Sequence, residues 1–200
     1  ALPTPPLAPP TLSIEFGPNS GPLAGKEGSI VTASRVRARL VSETDNNVTL
    51  TLHTGTSEES TIVMARGELQ LGILIEQMRR EGYELTVSPP KIMTHRDPTT
   101  QKEMEPFEEV TIDVDSEYGG ALLNLLSGGG GGGGRGGVLL EMTEDVNQGS
   151  VRMVFEIPSR GLLGFGPEAA TLTRGSAVVN HVFLEMREHA GNLLGVAGDK

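Results

Sequence analysis

The sequence predicts an α+β protein built from two tandem βαββαβ units, the split βαβ or ferredoxin-like arrangement. Three observations predict it. An apolar stripe at helical spacing, Leu71, Leu74, Ile75 and Met78, lies between two stretches that read as strands. The order strand, helix, strand, strand, helix, strand can be traced twice along the 200 residues. Between the two tracings stands Pro89-Pro90, and neither proline can donate to a ladder.

Residues 1–10 are Pro-rich and read as a linker, and residues 11–90 form the first unit. Leu12, Ile14 and Phe16 alternate as a strand, followed by a Gly/Pro-rich loop from Gly17 to Gly28. Thr32 or Ser34 caps a helix that turns Ala33, Val36 and Leu40 inward and Arg35 and Arg39 outward. Val48, Leu50 and Leu52 alternate with Thr49, Thr51 and His53 as the second strand, and Ile62 and Met64 belong to the third. The helix of the stripe Leu71, Leu74, Ile75 and Met78 follows, with Glu76 and Arg80 paired at i,i+4 and Gly82 where a left-handed terminal residue is expected. Tyr83, Leu85 and Val87 alternate as the closing strand. Residues 91–106 read as a connector, with a short hairpin turning at Asp97-Pro98.

The second unit, 107–200, repeats the order. Val110, Ile112 and Val114 form a strand, Ala121–Leu126 a short apolar helix, and Val138–Thr143 and Val151–Ile157 two further strands. A helix is expected around Leu162–Thr173, its start left open by Pro167, and a last strand over Ser176–Phe183. Seven consecutive glycines, Gly128–Gly134, interrupt this unit. Ordering seven glycines would cost on the order of 7–14 kcal/mol, so the loop 127–137 is expected to be a disordered spacer rather than a phosphate cradle.

Composition narrows the function. Aromatic content is 4%, with no Trp, so the cores must be aliphatic. No apolar run approaches the ~20 residues of a membrane span, and no signal peptide shows. The chain starts at Ala1 in a linker-like stretch and is expected to be a fragment or processed piece. No Cys is present, which removes disulfides, thiolate nucleophiles and Cys-based zinc sites. The net charge of −10 opposes generic nucleic-acid binding, so DNA is not an expected partner and any RNA contact must use local basic clusters.

Catalytic motifs fail one by one. Gly25-Lys26 invites a phosphate-loop reading, but Ser20 stands where the first Gly is needed and Glu27 where Ser or Thr is needed. No Asn-Lys-x-Asp motif occurs. His53, His95, His181 and His189 share no metal-ligand spacing, and Asp113 and Asp115 read as a solvated strand face. Ser159 lacks the first glycine of a nucleophile elbow, because Ile157 is there. No catalytic, cofactor or metal site is therefore expected. The remaining candidates are basic: Arg35, Arg37 and Arg39 on the first helix and Arg79 and Arg80 at the end of the second helix. Each cluster reads either as a solvated helix face or as a contact surface. Arg160, in the Pro-Ser-Arg-Gly turn before a helix, offers a planar fork to a phosphate. Arg66, at the corresponding junction of the first unit, does the same or pins its loop through a carboxylate.

Three blocks carry a resemblance. They are Pro9-Pro10-Thr11-Leu12-Ser13-Ile14-Glu15-Phe16-Gly17 with Ser20-Gly21-Pro22-Leu23-Ala24-Gly25-Lys26-Glu27-Gly28; Arg66-Gly67-Glu68-Leu69-Gln70-Leu71-Gly72-Ile73-Leu74-Ile75-Glu76-Gln77-Met78-Arg79-Arg80-Glu81-Gly82; and Ile157-Pro158-Ser159-Arg160-Gly161-Leu162-Leu163-Gly164-Phe165. In this order they resemble the translational GTPases of the TypA/BipA family, over about the first 185 residues. The first two are similar to the family's elongation-factor-G-like third domain, the last to its fifth.

The resemblance implies a monomeric factor that binds the ribosome near its factor-binding centre. Its partners would be rRNA and ribosomal proteins, its role in translation, ribosome assembly or stress adaptation. GTP and Mg would belong to a GTPase domain outside these residues, so this chain is expected to be inactive alone. The compartment would be the bacterial cytoplasm, or an organellar stroma or matrix for a nuclear-encoded version. Two departures stand out: Gln70 occupies a position that is usually His in the family, and the glycine run has no bacterial counterpart. After about Phe183 the likeness fades. Two other readings remain open: a free-standing regulatory module that binds a small effector, and a scaffold pair that only positions other domains.

Overall fold

The computed structural model describes residues 9–128, 134–189, 191 and 193. The chain divides into two compact units, Ala1–Met93 and Thr94–Lys200.

The first unit contains β1 (Leu12–Pro18), α1 (Ala33–Asn46), β2 (Thr51–Thr54), β3 (Thr61–Ala65), α2 (Glu68–Arg80), β4 (Leu85–Val87) and β5 (Lys91–Ile92). Its antiparallel sheet runs β2-β3-β1-β4, the order of a ferredoxin-like βαββαβ unit. Leu12, Ile14 and Phe16 face Ala65, Val63 and Thr61 across the ladder, so one side of β1 presents only apolar groups. Val36 and Leu40 of α1 and Leu71, Leu74 and Met78 of α2 pack into the same core, which puts both helices on one side of the sheet.

Two elements differ from the expectation. The alternation Val48-Leu50-Leu52 resembles a strand, yet β2 begins at Thr51 and Val48 is 75% exposed. Asn47 is the reason. Its Oδ1 accepts from Thr49 N–H and Oγ1–H at 3.2 and 2.6 Å, and its carbonyl accepts from Leu50 N–H at 3.1 Å, which makes a turn. Gln70 holds that turn from α2, donating to Asn47 Oδ1 at 3.3 Å and to Thr49 Oγ1. The residues expected as a connector, 91–106, divide instead between the two sheets. Pro89-Pro90 interrupts an edge without ending the unit, because β5 resumes pairing with β1 at Leu12 and Ser13.

The second unit contains β6 (His95–Arg96), β7 (Glu103–Asp115), α3 (Ser116–Ser127), β8 (Val138–Asp145), β9 (Ser150–Pro158), a 3-10 turn (Ser159–Leu162), α4 (Phe165–Leu172) and β10 (Val178–Glu188). The sheet order β10-β7-β9-β8 repeats that of the first unit. Val110, Ile112, Met153, Phe155, Leu122, Leu126 and Phe165 form its core. The hairpin from β6 to β7 turns where Asp97-Pro98 indicated, with Asp97 Oδ1 accepting from Thr99 and Thr100 N–H at 2.6 and 3.0 Å. Helix α3 begins five residues earlier than expected, at Ser116 rather than Ala121. Gly119, a residue type that reads as a breaker, is needed there because a Cβ would come within 2.9 Å of Val151 Cγ1. Pro167 falls in the first turn of α4, where its missing N–H costs nothing. Strand β10 continues past Phe183 through a bulge, and Arg187 then ties it to Glu156 and stacks on Phe107 at 5.1 Å.

Of the spacer expected over 127–137, residues 129–133 lie outside those described. Residues 134–137 are fixed: Arg135 N–H donates to Leu125 O at 3.3 Å and Gly137 N–H to Leu126 O at 3.0 Å. The two described ends of the run meet, since a Cβ on Gly134 would sit 2.2 Å from Gly128 N.

Urea unfolding separates the turn at 47–50 from a strand. Leu50→Ala is expected to cost about 2–5 kcal/mol, whereas Val48→Ala stays within about 0.5 kcal/mol. Equal losses would restore the strand.

Candidate functional site

The C-terminal end of α2 gathers four of the predicted arginines. The helix stops in a double-bonded terminus: Tyr83 N–H donates to Met78 O at 3.0 Å and Gly82 N–H to Arg79 O at 3.1 Å. Gly82 adopts φ +88°, which L side chains rarely take. Arg79 and Arg80 both reach back to Glu76, at 2.9 and 3.0 Å, with side chains 72% and 77% exposed. Two guanidiniums share one carboxylate, so the trio keeps a positive charge toward solvent. Arg79 first, then Arg80, holds the Glu76 carboxyl down to about 2. From α1, Arg39 places Nε and Nη2 at 2.7 and 2.9 Å from Glu81 and Nη1 at 2.9 Å from Glu43. Arg35 lies one turn before Arg39 on the same helix face. Arg35 and Arg37 are exposed and have no ion pair among the described residues.

The loop after β1 closes on this same end. Ile30 N–H donates to Gly82 O at 3.1 Å and Glu84 N–H to Ile30 O at 3.0 Å. The Glu84 carboxylate reaches into the loop and accepts from the N–H groups of Gly25, Glu27 and Gly28 and from Asn19 Nδ2. Those donors, Gly28 N–H foremost, hold the Glu84 carboxyl below its ordinary value. On the central strand β1, Glu15 accepts from Ser60 Oγ and from Thr56 N–H and Oγ1–H, which bring it down to about 2. The open depression beside Glu15 is lined in part by the hydroxyls of Thr56, Ser57 and Ser60, which are already hydrogen-bonded.

The remaining arginines lie elsewhere. Arg66 is half-buried at the opposite end of α2, 13 residues or on the order of 20 Å away, and its side chain has no ion pair among the described residues. Arg160 occupies the expected turn, but its guanidinium does not face solvent. It is 9% exposed, with Nε 2.6 Å and Nη2 3.2 Å from the fully buried Glu105 carboxylate. It also donates to the Gly191 carbonyl. Offering that fork to a phosphate would leave a buried carboxylate unpaired, so Arg160 serves the fold. Sequence reasoning missed Arg135, which leaves the glycine run and buries its guanidinium on Gly161 O and Leu163 O, both at 2.8 Å, and on Glu168. It also missed Glu108, whose buried carboxylate accepts from Ser159 Oγ and contacts His181 Nδ1, both at 2.5 Å.

Asp113 pairs with Arg152 at 2.6 Å rather than with a second carboxylate. Among the described residues no group of three His, Asp or Glu is placed to hold a metal.

Unfolding and amide exchange can each test this arrangement. Glu105→Ala should cost about 3–5 kcal/mol by urea unfolding, while Arg79→Ala/Arg80→Ala barely moves the midpoint. Amide exchange should show Gly25, Glu27 and Gly28 still protected at pH 4.5, the ordinary value for Glu84, and losing protection only as pH falls through the lowered value that these donors give it. Thr56, on Glu15, should hold until pH nears 2. Uniform exchange across this range would contradict both carboxylate anchors.

Comparison with known proteins gives this geometry a family. Residues 102–196 match the sequence profile described as elongation factor G C-terminus. The chain is 42% identical over 193 residues to the large ribosomal subunit assembly factor BipA of Synechocystis sp., covering 96% of this chain and 31% of that protein. It is 41% identical over 174 residues to the factor of the same name in Bacillus subtilis, covering 87% of this chain and 27% of that one. Against a chloroplastic TypA-like protein of Arabidopsis thaliana the identity is 36% over 192 residues, 96% of this chain and 27% of the relative. The chain therefore spans about three-tenths of the length of these relatives. Identity of 36–42% sustained over 87–96% of its residues makes the chain a member of the TypA/BipA family.

Proposed function

We propose that the chain is the ribosome-contacting portion of a TypA/BipA-family translational GTPase, acting in assembly of the large ribosomal subunit. The observation that carries this reading is the exposed cationic end of the first unit, formed by Arg79 and Arg80 with Arg35 on the α1 face that carries Arg39, on a chain of net charge −10. An acidic protein that meets RNA must do so through a local positive surface, and here the guanidiniums outnumber the carboxylates they touch. Arg39 supports that surface by holding Glu81 against α1. Arg160 contributes by fixing its own turn through Glu105. On this reading GTP and Mg are handled by a part of the protein outside these 200 residues, which here would sense the nucleotide state only through contact. Bacterial and chloroplastic relatives support the cytoplasm or an organelle as the place of action.

Co-sedimentation with ribosomes across a salt series tests it. Binding should weaken as salt rises, and Arg79→Ala/Arg80→Ala should lower the log–log slope by about 0.7–0.9 for each phosphate that is no longer neutralised. Arg152→Ala, in the other unit, is the control and should leave the slope unchanged. A slope indifferent to the Arg79/Arg80 change would remove this surface from the ribosome interface.

A further inference from the structure

The loop 19–28 has the construction of an anion site, and it is already occupied. The N–H groups of Gly25, Glu27 and Gly28 converge on the Glu84 carboxylate at 3.0–3.1 Å, and Asn19 Nδ2 completes the set at 2.5 Å. Successive backbone donors aimed at one point make a nest, which binds anions through fixed dipoles. The anion here comes from 56–65 residues away in sequence. All donors that hold it are neutral: among the described residues Glu84 has no ion pair. Lys26, between two of the donors, is exposed and has none either. Arg79 lies near enough to Glu27 to feel its charge. The resulting neighbourhood has four neutral donors, two cations at its rim, and a carboxylate whose charge only those neutral donors meet.

We propose that this nest is a phosphate-binding site masked by Glu84, which a phosphate of bound RNA displaces. The site stands on the donor geometry; RNA as the source of the phosphate rests on the ribosome-contact reading above. A tethered carboxylate competes with an effective concentration in the millimolar range, so free phosphate displaces it poorly. A phosphodiester on a strand already held by Arg79 and Arg80 arrives with comparable effective concentration and exchanges with Glu84 on nearly equal terms. Glu84 thereby restricts the site to phosphates delivered by a larger ligand. Gly25-Lys26, which fails as a nucleotide phosphate loop, acquires a use in this setting: close backbone approach and one rim cation without a Mg-binding hydroxyl.

The test is a titration of the full chain with inorganic phosphate, read at the amide resonances of Gly25, Glu27 and Gly28. Wild type should respond weakly. Glu84→Ala should respond about tenfold more tightly, and Glu84→Ala/Lys26→Ala less tightly than Glu84→Ala alone. Glu84→Gln, which keeps an acceptor in the nest without the charge, should fall between wild type and Glu84→Ala, and it guards against a loop that loosens when the side chain is cut away. Absence of phosphate-dependent shifts in both Glu84 variants, with the remaining spectrum intact, overturns the site. Ribosome co-sedimentation of Glu84→Ala separates the sources: stronger binding than wild type supports RNA, and unchanged binding alongside tight inorganic phosphate binding rejects it. If the nest ignores phosphate while Arg79→Ala/Arg80→Ala still weakens ribosome binding, the masked site falls and the contact surface stands.

Discussion

Strands β1 and β7 are each hydrogen-bonded along both edges, and neither can slip by a residue without breaking two ladders and turning its apolar side outward. Phe16 sits at the crossing of both constraints in the first unit, opposite Thr61 on one side and Val87 on the other. Val110 does so in the second, opposite His181 and Phe155. Both residues are fully buried. With no Trp, many aliphatic contacts pack around the few buried rings, Phe16 in the first unit and Phe155 and Phe165 in the second. Helix position then depends on strand position, and the cationic end of the first unit depends on where α2 stops.

A second organising theme is the handling of excess carboxylates. The chain carries 26 acidic and 16 basic Lys or Arg side chains, so many carboxylates cannot have a cation each. The fold meets some of them with neutral donors: hydroxyls and an amide on Glu15, backbone amides on Glu84, and a serine beside a histidine on Glu108. Arginines are thereby left for places where a planar cation is needed. Arg160 and Arg135 direct theirs inside the second unit, onto Glu105 and onto two carbonyls. The arginines of α1 and α2 stay near the surface.

What the sequence disclosed follows the range of the interaction that decides each feature. The stripe Leu71, Leu74, Met78, the turn at Gly82 and the double βαββαβ order depend on neighbours within a few residues, and periodicity reports them. The turn at Asn47 escaped because Val48-Leu50-Leu52 alternates as a strand would, which masked the turn that Asn47 makes with Thr49 and Leu50, and because Gln70, which holds that turn, is 23 residues downstream. Arg160 was legible as a turn arginine but not as a buried one, since Glu105 lies 55 residues upstream. Arg135 gave no signal at all beside seven glycines, because its acceptors come 26–33 residues later. The nest around Glu84 was hidden for the same reason: the loop's glycines are visible, but the anion that fills it belongs to another element.

The meeting of Gly128 and Gly134 bears on how this gene can change. Loop-closure cost grows only logarithmically, by about 0.6 kcal/mol for a doubling of length, when the two anchor points stay fixed. Here the anchors are set independently, one by the end of α3 and the other by Arg135. A run of one residue type between such anchors can gain or lose residues with almost no effect on folding. Its length is then a nearly neutral character, free to differ between close lineages, while a single substitution at Arg135 is exposed to selection.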